Sequence, residues 1–452
     1  MLDEKEFHHL VGGPFTVLES DPGVFTTLIR KLGIRGLEVT EIYDIEPWAV
    51  DHLSPHGLIF CYLCTDEKNG TKRYDNIDDP DAERVWFANQ LSNDACATQA
   101  ILNVLLNCPG IELGDELQDF RVETEHMSSV MKGLAISGSH FIRKAHNSLA
   151  RPADIRGSIQ SIAAATLESN KTKNAPPAKK QRTATSSATH KKKAAESTEN
   201  QQDMYHFIGY VPAHNKVWEL DGLRRSALEV GELAPPDDAS DGRAGWIDVV
   251  RPALRMRMQR SLEEDGNSAG HIQFNLLAIV NDRYQVVSDE LEMLKRERNA
   301  LERRLAEVYE EGWTEKVDQT LLASASETFV TSVRPSPEGK IFGQDFGSRK
   351  MEKEISILDM PARKLPEAWE ACIRAALSAK LAVEEEIAKS ANAHTEEIKR
   401  TFDYEPFIVQ FITCLHNEGL LDSALHKATT AEEMNEKPTM RAKSKAKGRG
   451  RA

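Results

Sequence analysis

Apolar and polar positions along this chain follow two periods, and the switches between them outline a mixed α/β region followed by helices. From residue 14 to 108, strand-like runs (Phe15-Thr16-Val17-Leu18, then Gly57 to Cys64) are interleaved with helical ones. Asp21 as N-cap and Pro22 as first helical residue open a helix through Leu32. Ile101, Val104, Leu105 and Cys108 recur at helical spacing up to Pro109-Gly110, behind the N-cap residue types Ser92, Asn93 and Asp94. Helical patterns continue at Phe120 to Leu134 and Ser139 to Leu149. Tyr205 to Val211 and Lys216 to Leu220 read as a hairpin joined by Pro212 to Asn215, and Ile272 to Val280 as a strand that closes the domain.

Further on, Leu291, Leu294, Leu301, Leu305 and Val308 occupy a and d heptad positions, with Arg298 the one polar break. This predicts a coiled coil over 284–310; the alternative is a single helix packing on its own domain. Residues 311–365 read as linker. Glu367 to Phe402 is a long amphipathic helix, Asp403 to Pro406 breaks it, and Phe407 to Leu415 starts a more apolar one, with Leu420, Leu421 and Leu425 marking another. So apolar a face on a helical module of 366–430 reads as a surface for a partner.

Composition changes this outline in two places. Between Lys171 and Lys193 there are eight Lys/Arg and no acid, and the surrounding tract, 150–202, is too polar to offset its ordering entropy. It reads as a disordered insertion, since strand-like sequence resumes directly after it. Lys437 to Ala452 holds seven Lys/Arg and no acid, so 431–452 is a basic tail, solubilising or able to meet phosphates and acidic surfaces.

The 452-residue chain carries a formal net charge of -14, which argues against general nucleic-acid binding. Six cysteines in such a length make no disulfide scaffold and fit a reducing compartment. Cys61-Tyr62-Leu63-Cys64 has half a zinc spacing, but no second Cys or His pair follows suitably, so no metal or cofactor is predicted. No apolar run approaches the ~20 residues needed to span a bilayer, and the charged start is no secretory signal. A soluble protein of cytoplasm and nucleus is expected; Lys179-Lys180-Gln181-Arg182 and Lys191-Lys192-Lys193 suit nuclear import.

Candidate chemistry centres on Cys96. In the first turn of its helix, unpaired amides and the macrodipole favour a thiolate, the nucleophilic form. Gln90, six residues earlier, offers an amide to an oxyanion. His206 on one strand and Asp221 at the end of the next can lie side by side, the carboxylate taking one ring nitrogen while the other serves a thiol. Singly, each has a plain structural explanation: a core cysteine, a satisfied strand histidine, an Asp-Gly turn. Together they outline a Cys-His-Asp site.

The runs Phe87-Ala88-Asn89-Gln90, Ala95-Cys96-Ala97-Thr98-Gln99-Ala100-Ile101, His206-Phe207-Ile208-Gly209-Tyr210-Val211-Pro212 and Glu219-Leu220-Asp221-Gly222-Leu223 resemble the ubiquitin carboxyl-terminal hydrolase family of cysteine proteases, nearest its proteasome-associated branch with a C-terminal helical extension. The likeness covers about 12–283 outside the insertion and resumes over about 398–427. It implies an α-β-α fold with a mostly antiparallel central sheet and a knotted backbone, a catalytic domain at 8–283, and an active-site crossover loop at about 145–204. By the matching positions Cys96 is nucleophile, His206 general base and acid, Asp221 its orienting residue, and Gln90 an oxyanion donor. The implied reaction cleaves the bond after ubiquitin's C-terminal glycine, and the implied partners are ubiquitin, its conjugates and, through the C-terminal helices, a proteasome ubiquitin-receptor subunit.

Two departures from the family stand out. Asp94 replaces the usual Asn two residues before the nucleophile, and a carboxylate there favours the protonated thiol. The insertion lengthens the crossover loop, which would admit bulkier conjugates. A chromatin-associated enzyme acting on ubiquitinated histone and a non-catalytic ubiquitin-binding scaffold are the alternatives.

Overall fold

A computed structural model describes residues 14–64, 80–173, 204–233, 245–263, 274–332 and 342–421. Among the described residues six strands form one sheet: β1 (Leu37–Ile42), β2 (Gly57–Cys64), β3 (Met204–Ala213), β4 (Lys216–Asp221), β5 (Leu228–Glu232) and β6 (Phe274–Asn281). Their order is β1-β6-β2-β3-β4-β5, and every pairing is antiparallel. The last strand in sequence thus enters the middle of the sheet between β1 and β2 and does not close its edge. Both faces of the central strands are covered, so Leu58, Ile59, Phe60 and Cys61 on β2 are all buried and read as an unbroken apolar run.

On one face the Pro22–Lys31 and Cys96–Leu105 helices pack against Ile59, Cys61, Phe207, Trp218 and Leu220. On the other, the Trp246–Glu263 helix covers Leu58, Phe60, Ile208, Tyr210 and Val217. Asp21 caps the first helix as its sequence predicts, accepting from the Val24 amide at 3.0 Å, with Pro22 at its start. Phe15 to Leu18 forms no strand; Phe15 and Leu18 are anchored in the core, and the polar bonds of this stretch go to the His140–Asn147 helix, where His146 Nε2 meets the Thr16 carbonyl. The predicted helix from Phe120 to Leu134 is two, Asp115–Thr124 and Ser129–Gly138, because the Ser128 hydroxyl caps a new start at Met131 N. Ser139 likewise caps His140–Asn147.

Part of the tract expected to be disordered is ordered: Pro152–Lys173 is helical, and 174–203, with the Lys-rich runs, lies outside the described residues. The basic tail and Leu425 lie outside them as well.

The heptad stretch forms the Arg283–Tyr309 helix, and its partner is in the same chain. Leu291, Leu294, Leu301 and Leu305 pack on Leu365, Trp369, Cys372, Ile373 and Ala376 of the Leu365–Thr401 helix. The two run antiparallel: Arg283 meets Glu386 at 3.1 Å, Cys372 Sγ the Leu294 carbonyl, and Tyr309 Oη the Ala362 carbonyl. The expected linker is partly ordered against this hairpin, with the Gln319–Ser324 and Phe346–Leu358 helices and buried Val317, Ala325 and Ile357.

Among the described residues, those up to 150 and from 154 to 401 make one structural unit; 151–153 with 402–421 make a second. In the second, Glu405–Asn417 is a helix whose Phe407, Ile408, Val409, Phe411 and Ile412 are all exposed. No helix among the described residues is long and apolar enough to cross a membrane.

Candidate active site

Cys96 is the first residue of its helix, following a 3-10 turn at Asn93–Ala95. Ala95 occupies the N-cap, and the Ser92 side chain makes no cap bond to the 3-10 turn. The thiol itself sits against the freed amides of Ala97 and Cys96. Its sulfur lies 4.0 Å from the carbonyl oxygen of Tyr205, the residue before His206 on β3. Burial pushes the Cys96 thiol up to about 12 despite those amides, and the Asp94 carboxylate adds to the rise.

The helix reaches β3 this closely because two glycines let it. A Cβ at Gly57 or Gly209 would stand 2.2 or 2.6 Å from Val104, so the helix seats directly on strands β2 and β3.

A two-residue turn, His214-Asn215, with both φ positive (54 and 59), joins β3 to β4. The resulting register pairs Asp221 with Ile208, which sets His206 diagonally across on the same face of the sheet. His206 Nε2 meets Asp221 Oδ1 at 2.8 Å, and the Leu223 amide donates to the same oxygen at 3.0 Å. Burial would raise the Asp221 carboxyl, but the His206 and Leu223 bonds hold it below its ordinary value. Tyr62, opposite His206 on β2, sets its ring edge to face with the imidazole at 5.6 Å. Nδ1 is therefore the nitrogen left for a thiol.

Gln90 is tied to the same corner by its backbone, its main-chain N–H donating to the Gly222 carbonyl at 2.8 Å. Asn89 Nδ2 donates to the carbonyls of Gly222 and Arg224, and Gln99 and Asn103 from the Cys96–Leu105 helix bond the Ala88 backbone. None of these three polar side chains is among the candidates that the sequence points to; Asn103 and Gln99, polar residues on a helix whose other faces are apolar, are the available signal. The structure thus joins His206 to Asp221, Gln90 to Gly222, and Cys96 to the start of β3. No hydrogen bond links the Cys96 thiol to the His206 imidazole: the ring shares the face of Tyr62 and Ile208, whereas the helix approaches from the other face. Among the described residues no group of three His, Cys, Asp or Glu could hold a metal ion.

The model of "Ubiquitin carboxyl-terminal hydrolase, family 1" matches residues 15–259, more than half of the chain. The chain belongs to this family. A second model, for "Ubiquitin carboxyl-terminal hydrolases", matches residues 375–421. Ubiquitin carboxyl-terminal hydrolase isozyme L5 of Dictyostelium discoideum is 33% identical over 292 residues, 64% of this chain and 69% of that protein. Ubiquitin carboxyl-terminal hydrolase BAP1 of Danio rerio is 30% identical over 65% of this chain and 34% of its own length. The solved catalytic domain of Trichinella spiralis UCH37, bound to ubiquitin vinyl methyl ester, is 28% identical over 60% of this chain and 97% of that one, with a TM-score of 0.42. As a member of the family, the chain is a cysteine-type deubiquitinating enzyme.

Proposed function

We propose that Cys96, His206, Asp221 and Gln90 carry out this hydrolysis. Nδ1 of His206 takes the thiol proton, and the Cys96 sulfur attacks the carbonyl carbon of ubiquitin's C-terminal glycine. Gln90 donates to the oxyanion that forms. His206 then returns the proton to the departing lysine amine, leaving a thioester that water cleaves with the imidazole again as base. Asp221 keeps Nε2 occupied, so that the ring presents Nδ1.

The observation that supports these roles is the 2.8 Å bond from Asp221 to Nε2, with the thiol 4.0 Å from the backbone carbonyl of Tyr205, the residue before His206. Before attack, the thiol must leave the Tyr205 carbonyl for the imidazole. The test is release of a fluorophore from a ubiquitin C-terminal amide. Cys96→Ala and His206→Ala are expected to lose on the order of 10³-fold or more in rate. An active Cys96→Ala protein would refute the assignment, and binding of ubiquitin with no turnover by the wild type would favour the scaffold.

We infer further that the Glu405–Asn417 helix docks this enzyme, in cytoplasm and nucleus, to a ubiquitin-receptor subunit of the proteasome. Support comes from its exposed apolar face, where Phe407 and Phe411 stack at 6.2 Å with nothing else to bury them in their own helix. Phe411→Asp should abolish co-purification with proteasomes while leaving turnover of the fluorogenic amide intact. Recovery of nucleosomes in place of proteasomes would support the chromatin alternative.

A further inference from the structure

Behind the His206–Asp221 pair lies a layer of charge that the proposed chemistry does not use. Glu219 precedes Asp221 by two residues on β4, so the two carboxylates share one face of the sheet. Both are buried. Two anions so close, both desolvated, would repel one another and favour protonation of one. Two arginines meet these carboxylates.

Arg257, from the Trp246–Glu263 helix, donates to Glu219 through Nη2 at 2.5 Å and Nε at 3.2 Å, and Tyr210 Oη adds a third bond at 3.0 Å. Glu219 is thereby fixed. Arg224 spans the gap: its Nη2 lies 3.3 Å from Glu219 Oε1 and its Nε 3.6 Å from Asp221 Oδ2. Its main chain is held as well, the amide donating to the Asp221 carbonyl and its own carbonyl accepting from Asn89, the neighbour of Gln90.

We propose that Arg224 is a positioning residue of this enzyme, bridging Asp221 to the anchored Glu219 so that the catalytic carboxylate keeps the orientation that holds Nε2 of His206. Oδ1 carries the imidazole and Oδ2 faces the guanidinium, so rotation of the carboxylate would break both contacts at once. A planar fork suits this bridge, whereas an ammonium supplies the charge without the geometry. The proposal rests on the reading of His206 and Asp221 as catalytic.

The experiment measures kcat, KM, melting temperature and the pH profile of kcat/KM on the full chain with a ubiquitin fluorogenic amide. Arg224→Gln is expected to lower kcat on the order of tenfold with KM little changed. Both limbs of the profile should move to higher pH, since one positive charge is withdrawn from the site. Arg224→Lys should return the limbs to their wild-type position and recover most of kcat, leaving it about threefold low. Arg225→Gln, the same charge change at an exposed neighbour, should behave as wild type.

A kcat for Arg224→Gln within twofold of wild type overturns the proposal, as does a loss that tracks the melting temperature with both limbs unshifted. Should Arg224→Gln not fold, Arg224→Lys decides alone: a reduced kcat at unchanged KM supports the bridge, and a wild-type kcat overturns it. The Cys96→Ala and His206→Ala controls separate the two levels. If either stays active, the assignment of the active site fails; if both are dead and Arg224 variants match wild type, only the bridge fails.

Discussion

Asp94 shows how much one side chain can set at the proposed nucleophile, Cys96. It makes no capping bond to the Cys96 helix, so its charge is felt by the sulfur and not spent on the helix amides. Burial raises the carboxyl of Asp94 itself, a sign of the same poorly solvated pocket. Asp94→Asn removes a negative charge beside a thiol already raised to about 12, so the thiol should ionise more readily. Alkylation of Cys96 by iodoacetamide at pH 8, followed by mass spectrometry of its peptide, should speed up, and amide hydrolysis should not fall. An unchanged alkylation rate would mean that burial alone sets the thiol. The presence of this acid was readable from the chain; whether it capped or faced the sulfur depended on the backbone entering the helix.

Among the elements, what local pattern could show divides by position in the sheet. The central runs Gly57–Cys64 and Lys216–Asp221 are continuous or regular because neighbours bury them, and they were legible. β1 and β5 were not: Leu-Glu-Val-Thr-Glu-Ile and Leu-Glu-Val-Gly-Glu are short edge strands broken by polar residues, and only pairing to β6 and β4 makes them strands. The tight seat of the Cys96–Leu105 helix on β3 is a property of the element pair. Gly209→Ala would place a methyl 2.6 Å from Val104 Cγ2 and should cost about 1–3 kcal/mol by overpacking. Because the helix carries Cys96 at its start, kcat should fall too. Adding Val104→Ala should recover part of the melting temperature, and a double variant no better than the single one would refute direct contact as the cause.

At the scale of the first structural unit, the helical hairpin is joined to the sheet through a cluster of acids and arginines. Asp282, at the end of β6, caps the Arg283–Tyr309 helix and accepts from Arg30 at 3.0 Å. Glu38 on β1 sits beside it, and burial, then Asp282 and Glu386, push its carboxyl up to about 7. Its stabilising contribution is complete below about pH 4.5, where both states are protonated, and is lost as pH rises through 7, where the folded state must hold a buried charge. Glu38→Gln should therefore gain on wild type between pH 5 and pH 8, by on the order of 1–2 kcal/mol in urea unfolding. Parallel pH dependence of the two proteins would rule out Glu38 as the source.

Periodicity, capping residues and the spacing of reactive side chains were local properties, so the chain alone determined that an antiparallel hairpin carries His206 and Asp221, that Cys96 opens a helix, and that an apolar helix follows Pro406. Long-range packing decided the rest. It put β6 inside the sheet, folded the heptads of residues 291–305 back onto Trp369 within one chain, and brought Arg224 between two buried carboxylates. Each of these depends on which surfaces meet, and a surface finds its partner only when residues far apart in sequence compete to bury it.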